Sequence, residues 1–144
     1  SCASLAVLLV MAQRELHPRL QSRPPYERFQ AWAACHSLTL AVYKASRSWP
    51  DSERFSLTVQ ARKAASSAAI NIVEGAAQRG AKEFRRLLDI SVGSLSELSY
   101  LLVLIRDLGY LPKETYGELE ALRDHASRLT RGLHRAIAKR TPTV

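Results

Sequence analysis

Cysteine is nearly missing from this sequence: Cys2 and Cys35 are the two present in 144 residues, far apart and in no metal-ligand or redox spacing. That excludes a disulfide framework or a zinc ribbon as the source of stability, and a reduced, cytoplasmic chain is the expectation. Glycine and proline, six of each, are too few for a collagenous or low-complexity chain. The apolar opening, Ser1 to Val10, is shorter than the ~20 residues a bilayer span needs, and it lacks the charged leader of a signal peptide. No membrane partner is expected. Met11-Ala12-Gln13 reads as a natural start, so Ser1 to Val10 is expected to be upstream sequence, with a trimmed secretory segment as the alternative. Acidic residues are absent after Asp124.

Catalytic patterns are missing too. A carboxylate di-metal bundle needs Glu-x-x-His pairs, and no Glu here has His at the third following position. There is no glycine-rich phosphate loop and no nucleophile elbow. The histidines are His17, His36, His125 and His134, and His36 shares a stripe with Trp32 and Tyr43, where a hydrogen-bonded histidine at the core edge is expected. The sequence therefore predicts no enzyme, no cofactor and no metal.

What is present is globular: 47% hydrophobic and 24% charged residues, enough for one domain with a packed core. Net charge is +8, unevenly distributed. From Phe29 to Asp124 acids and bases nearly balance, whereas His125 to Val144 carries Arg128, Arg131, Arg135, Lys139 and Arg140 with no acid. Residues 1–25, polar, basic and broken by Pro18, Pro24 and Pro25 beyond the apolar opening, read as a disordered or extended arm. Residues 26–140 read as the folded domain and 141–144 as a tail.

Apolar residues recur at helical spacing in four stretches. Tyr26 to Trp49 carries two stripes, Phe29, Trp32 or Ala33, His36, Leu40 and Tyr43 on one and Leu38, Val42, Ala45 and Trp49 on the other. That exceeds the need of one bundle face, and Leu38, Val42, Ala45 and Trp49 are expected to form an oligomer interface. Pro50 ends this helix, and Asp51 or Ser52 is expected to cap a second that runs to about Gly75. The second helix's core positions are small, Ala61, Ala64, Ala65, Ala68 and Ala69 with Leu57, Ile72 and Ala76, which lets a neighbour approach closely. Ala81 to Asp107 has unbroken 4,3 spacing over Phe84, Leu88, Ser91, Leu95, Leu98, Leu102 and Ile105. Gly93 within it costs about 1 kcal/mol relative to Ala and is expected to mark a close helix approach. Leu108-Gly109-Tyr110-Leu111-Pro112 is a helix stop followed by a start, and the last helix carries Leu119, Leu122, Ala126, Leu129 and Leu133. Four helices with short connections predict an all-α, antiparallel up-down-up-down four-helix bundle.

These residues resemble a known family of bacterial four-helix bundle proteins, those encoded in intervening sequences of large-subunit ribosomal RNA genes. The related accessory variability determinant of diversity-generating retroelements is similar. The resemblance is carried by Phe29, Trp32 and His36; Trp49-Pro50 and Glu53; Leu57, Gln60, Arg62, Lys63, Ala64 and Ala65; Ser67, Asn71, Ile72, Glu74 and Gly75; Lys82-Glu83-Phe84 and Leu88; Gly93-Ser94-Leu95 and Glu97-Leu98; and Leu108-Gly109-Tyr110. The pairing of Asn71-Ile72-x-Glu74-Gly75 with Gly93-Ser94-Leu95-x-Glu97-Leu98 is the more specific part. Trp49 stands where the family more often has Phe, and Lys63 where a second Arg is usual. The resemblance implies a homo-oligomeric, pentamer-like barrel of bundles that binds nucleic acid or a reverse transcriptase-like partner.

Three groups of residues are candidate sites. The stripe Arg128, Arg131, Arg135, Lys139 and Arg140 is either a solvated face or a phosphate-contacting surface, and recognition would be of the nucleic-acid backbone because no aromatics interleave. Arg79, Lys82, Arg85 and Arg86 gather at a helix start, where the dipole disfavours cations, so electrostatics there favours a phosphate or an acidic partner. Asn71 and Glu74, with Ser94 and Glu97, are expected to form a polar network that sets register, with Arg62, Lys82 or Arg86 as the partner of Glu74. The expected function is non-specific binding of RNA or DNA by a non-enzymatic homo-oligomer. The alternative is an adaptor that docks an acidic or polymerase-like protein such as a reverse transcriptase.

Overall fold

The computed structural model describes residue 7 and residues 23–140. The expected arm before residue 23, apart from that one position, and the tail 141–144 lie outside the described residues, as does Cys2. Among the described residues there are four α-helices and no strands: α1 (Gln30–Ser46), α2 (Leu57–Ala76), α3 (Ala81–Asp107) and α4 (Lys113–Ala138). Each helix packs against two others, α1 with α2 and α4, α3 with α2 and α4, and the α2–α3 pairing is the most extensive. The all-α four-helix class expected from periodicity is the one observed.

Helix limits differ from the pattern at three places, the first being that α1 ends at Ser46, short of Trp49. The expected start at Tyr26 is a separate 3-10 turn, Pro25–Arg28, because Phe29 adopts an extended conformation (φ −93°, ψ 122°) that interrupts the helical run. Asp51–Glu53 is likewise a short 3-10 turn and not the cap of α2. Ser56 (φ −126°, ψ −99°) separates it from α2, and the Ser56 hydroxyl bonds to the Glu53 carboxylate.

The core is built by the predicted stripes. Leu38, Val42, Ile72, Leu88, Leu95, Leu98, Leu102 and Ile105 are fully buried, each worth ~1.5–3 kcal/mol relative to exposure. Ala61, Ala64, Ala65, Ala68 and Ala69 are buried on α2, where small side chains let α3 come close. At Gly75 the Phe84 ring lies directly against the α2 backbone: a Cβ built there would lie 2.3 Å from Cδ2 of Phe84. Gly93 is different. It is exposed, and a Cβ there would meet nothing within 4 Å, so the expected close approach does not occur among the described residues.

The α3–α4 junction forms as the Leu-Gly-Tyr-Leu-Pro pattern predicts. Gly109 takes φ +80°, its N–H bonds to the Arg106 carbonyl (2.9 Å), and the Tyr110 N–H bonds to the Ile105 carbonyl (3.1 Å). Those two bonds define a Schellman motif. α3 is the one helix among the described residues long and apolar enough, by length and composition, to cross a membrane. Its apolar stripe is the centre of the bundle core, as a buried helix requires.

Candidate nucleic-acid interface

The last turns of α4 present Arg128, Arg131 and Arg135, and Lys139 and Arg140 follow directly; all five are exposed. They are not equivalent. Asp124, one turn earlier, holds Arg128 at 2.6 Å, and Arg131 reaches the Ser127 hydroxyl at 3.5 Å. Arg131, Arg135, Lys139 and Arg140 have no carboxylate within ion-pair distance among the described residues. On the α3-facing side, His134 Nε2 lies 3.1 Å from an Asp89 carboxylate oxygen.

The second cluster divides similarly. Arg86 is held by Glu83 through its Nε and Nη2 groups, at 2.6 Å for the shortest contact. The guanidinium accordingly holds the Glu83 carboxyl below the ordinary carboxylate range, chiefly by hydrogen bonding. Arg85 is half-buried, and its Nε is enclosed without a partner among the described residues. Arg79 and Lys82 are exposed and unpaired among the described residues.

Folding joins the two clusters at one point. Arg79, in the α2–α3 connection, and Arg140, after α4, line the same pocket of about 190 Å³, together with Arg28 from the 3-10 turn before α1. Arg28 was not among the residues singled out by sequence. Its signal was weak, a single arginine ahead of an apolar helix, because what gives it significance is a meeting of three segments distant in sequence.

The expected polar network exists in part. Ser67 and Ser94 hydroxyls are 2.9 Å apart, and the Asn71 amide donates to the Ser67 carbonyl (2.8 Å) and hydroxyl (3.1 Å). Ser91, fully buried, donates to the Ala68 carbonyl at 2.8 Å. Glu74 and Glu97 do not join: both are exposed and face water, which solvates a carboxylate better than a neutral hydroxyl cluster does. None of Arg62, Lys82 or Arg86 forms an ion pair with Glu74, although its charge raises the Arg86 pKa at longer range, behind the larger effect of Glu83. Arg62 instead donates from Nε to the Ser46 hydroxyl (2.8 Å) and lies over the Tyr43 ring, 4.7 Å from its centroid.

The expected oligomer interface needs correction. Leu38, Val42 and Trp49 are buried in the chain's own core and are not available to a neighbour. Ala45 is half-buried and lines a pocket of about 420 Å³ between α1 and α4. α1 carries both stripes, and the outward one is Ala33, His36, Leu40 and Tyr43. Periodicity alone cannot say which of two apolar stripes meets the other helices. His36 is exposed and stacked on Trp32, with centroids 5.1 Å apart and planes at 8°. Exposed apolar side chains also occur on α2 and α3, at Val59, Ile70, Ile90 and Tyr100.

Fold and surface together define a small four-helix bundle protein whose most distinctive feature is a cationic end assembled from several segments. Residues 27–132 match the family model of the 23S rRNA-intervening sequence protein, and the chain belongs to that family. A crystal structure of a protein with unknown function from the S23 ribosomal protein family, from Bacteroides thetaiotaomicron, is similar with a TM-score of 0.68. The similarity covers 73% of this chain and 95% of that chain at 16% identity, which is a likeness of fold. Among curated proteins, no sequence matches.

Proposed function

We propose that the protein is a non-enzymatic homo-oligomer, a pentamer by preference, of antiparallel up-down-up-down bundles, and that it binds RNA or DNA non-specifically through phosphate contacts. The observation that carries the binding half is the exposed run Arg131, Arg135, Lys139 and Arg140, which no carboxylate among the described residues neutralises. Several copies of such a run around one axis sum their potentials. The antiparallel order is supported by contacts that run in opposite directions on α2 and α3, Gly75 with Phe84, Ala68 with Ser91 and Ser67 with Ser94. Self-association is supported by Leu40, Ile70 and Tyr100, which stand 58%, 51% and 65% exposed.

Fluorescence anisotropy with plain duplex DNA and single-stranded RNA tests the reading. Affinity is expected to fall steeply between about 50 and about 200 mM salt, as release of counterions from phosphates demands. Reversal of Arg131, Arg135 and Lys139 to Glu is expected to abolish binding while the melting temperature holds. Absence of binding to either nucleic acid at low salt would refute this reading, and the adaptor with an acidic or reverse transcriptase-like partner would take its place.

A further inference from the structure

Three arginines from three separate segments meet at one pocket: Arg28 from the turn before α1, Arg79 from the α2–α3 connection and Arg140 beyond α4. Its lining contains no carboxylate, and none of the three forms an ion pair among the described residues. Three cationic side chains lining one pocket without a counterion give it a positive potential that favours an anion there.

The backbone at the same place favours the same ligand. Gly80, the N-cap of α3, also lines the pocket and makes no capping bond, and the first intrahelical bond is Phe84 N–H to the Gly80 carbonyl. The amides of Ala81, Lys82 and Glu83 therefore have no partner within the helix, at the positive end of the dipole of a 27-residue helix. A Cβ at Gly80 would meet nothing within 4 Å, so the backbone is open to an approaching group. Glu83, the acidic residue in the first turn of α3, is already held by Arg86. Phe84 and Ile137, both buried, contribute apolar carbon to the lining.

We infer that this pocket is an anion seat for one phosphate group, specifically one phosphodiester of a bound nucleic acid, gripped by Arg28, Arg79 and Arg140 at the N-terminus of α3. This rests on the nucleic-acid reading above and gives it a fixed anchoring point. A pocket of about 190 Å³ has room for a phosphate group. The remaining cations of α4 contact neighbouring phosphates without comparable enclosure.

The test uses the full chain, inorganic phosphate and a single-stranded RNA oligomer. Phosphate at constant ionic strength is expected to shift the amide NMR signals of Ala81, Lys82 and Glu83 saturably. Arg79→Gln and Arg140→Gln, both at exposed side chains, are expected to remove those shifts while preserving the thermal melt. Each is expected to weaken RNA binding about 10-fold, the scale of one charge-assisted hydrogen-bonded contact. The double variant is expected to lower the slope of log K against log salt by only about 0.7, the value for one phosphate on a single strand. An Arg131→Gln, Arg135→Gln variant should lose RNA affinity yet keep the phosphate shifts. RNA binding undiminished by Arg79→Gln and Arg140→Gln, with no saturable phosphate shift, would overturn the seat and leave the surface reading standing. Phosphate binding by a protein that binds no RNA or DNA would overturn the phosphodiester assignment along with the proposed function.

Discussion

At the scale of single residues, Gly75 and Cys35 show how little room the bundle leaves. Any side chain at 75 enters the Phe84 ring, so Gly75→Ala is expected to cost about 1–3 kcal/mol, the usual range for overpacking a filled core. Thermal denaturation measures it, and Phe84→Leu in the same chain should restore part of the loss. Cys35 is fully buried beside Thr130, whose hydroxyl donates to the Ala126 carbonyl and lies 3.7 Å from the Cys35 sulfur. Burial pushes the thiol up from 9.0 to about 11, with the Thr130 contact opposing in part. The folded state thus holds this proton more tightly than the unfolded chain. Its contribution to stability is full below about pH 9 and is lost as pH rises to about 11. In a Cys2→Ser background, Cys35 is expected to react with a thiol reagent at pH 8 only as fast as the chain opens. Comparison with Cys35→Ala between pH 9 and 11 should isolate the stability slope, and rapid labelling of the folded chain would contradict this account.

At the scale of helices, α2 and α3 are matched by size and by polarity. Alanines on α2 meet the leucine stripe of α3, the Ser67–Ser94 and Ser91–Ala68 bonds cross the seam at fixed levels, and Asn71 braces Ser67 from the turn behind it on α2. Register follows, because a shift by one turn would bury those hydroxyls against leucine without partners. A double-mutant cycle of Ser67→Ala and Ser94→Ala is expected to show a coupling of about 0.5–1.5 kcal/mol by denaturant unfolding. Gly93 makes a sharper statement. It lies on the exposed face of α3 with space around it, so Gly93→Ala should stabilise an isolated chain by about 1 kcal/mol through helix propensity alone. In the proposed oligomer, a glycine on such a face lets another subunit approach closely. The same substitution is therefore expected to weaken assembly while it raises the stability of the monomer.

At the scale of the molecule, two surfaces differ in chemistry and in place. One is apolar and distributed over α1, α2 and α3 at Leu40, Ile70, Ile90 and Tyr100; the other is cationic and gathers where Arg28, Arg79 and Arg140 meet. Mass measurement in solution separates them. Ile70→Lys together with Tyr100→Glu is expected to reduce the assembly toward monomers, whereas reversal of Arg131, Arg135 and Lys139 should leave its mass unchanged. If the wild-type chain is monomeric at high concentration, the oligomeric half of the proposed function fails.

The sequence by itself determined the four helices, the Schellman stop at Gly109, the small-residue face of α2 and the exposed cationic run after Asp124, because each depends on the spacing of residues within one segment. It also put Asn71 and Ser94 in a network, since polar groups one turn apart recur on both helices. Tertiary structure decided what spacing cannot express. It chose which stripe of α1 is core, sending Leu38, Val42 and Trp49 inward and Leu40 and Tyr43 outward. It left Glu74 and Glu97 in water, and it brought Arg28 to Arg79 and Arg140. Those outcomes depend on how the helices rotate and close upon one another, a balance of packing among all four that no single helix specifies.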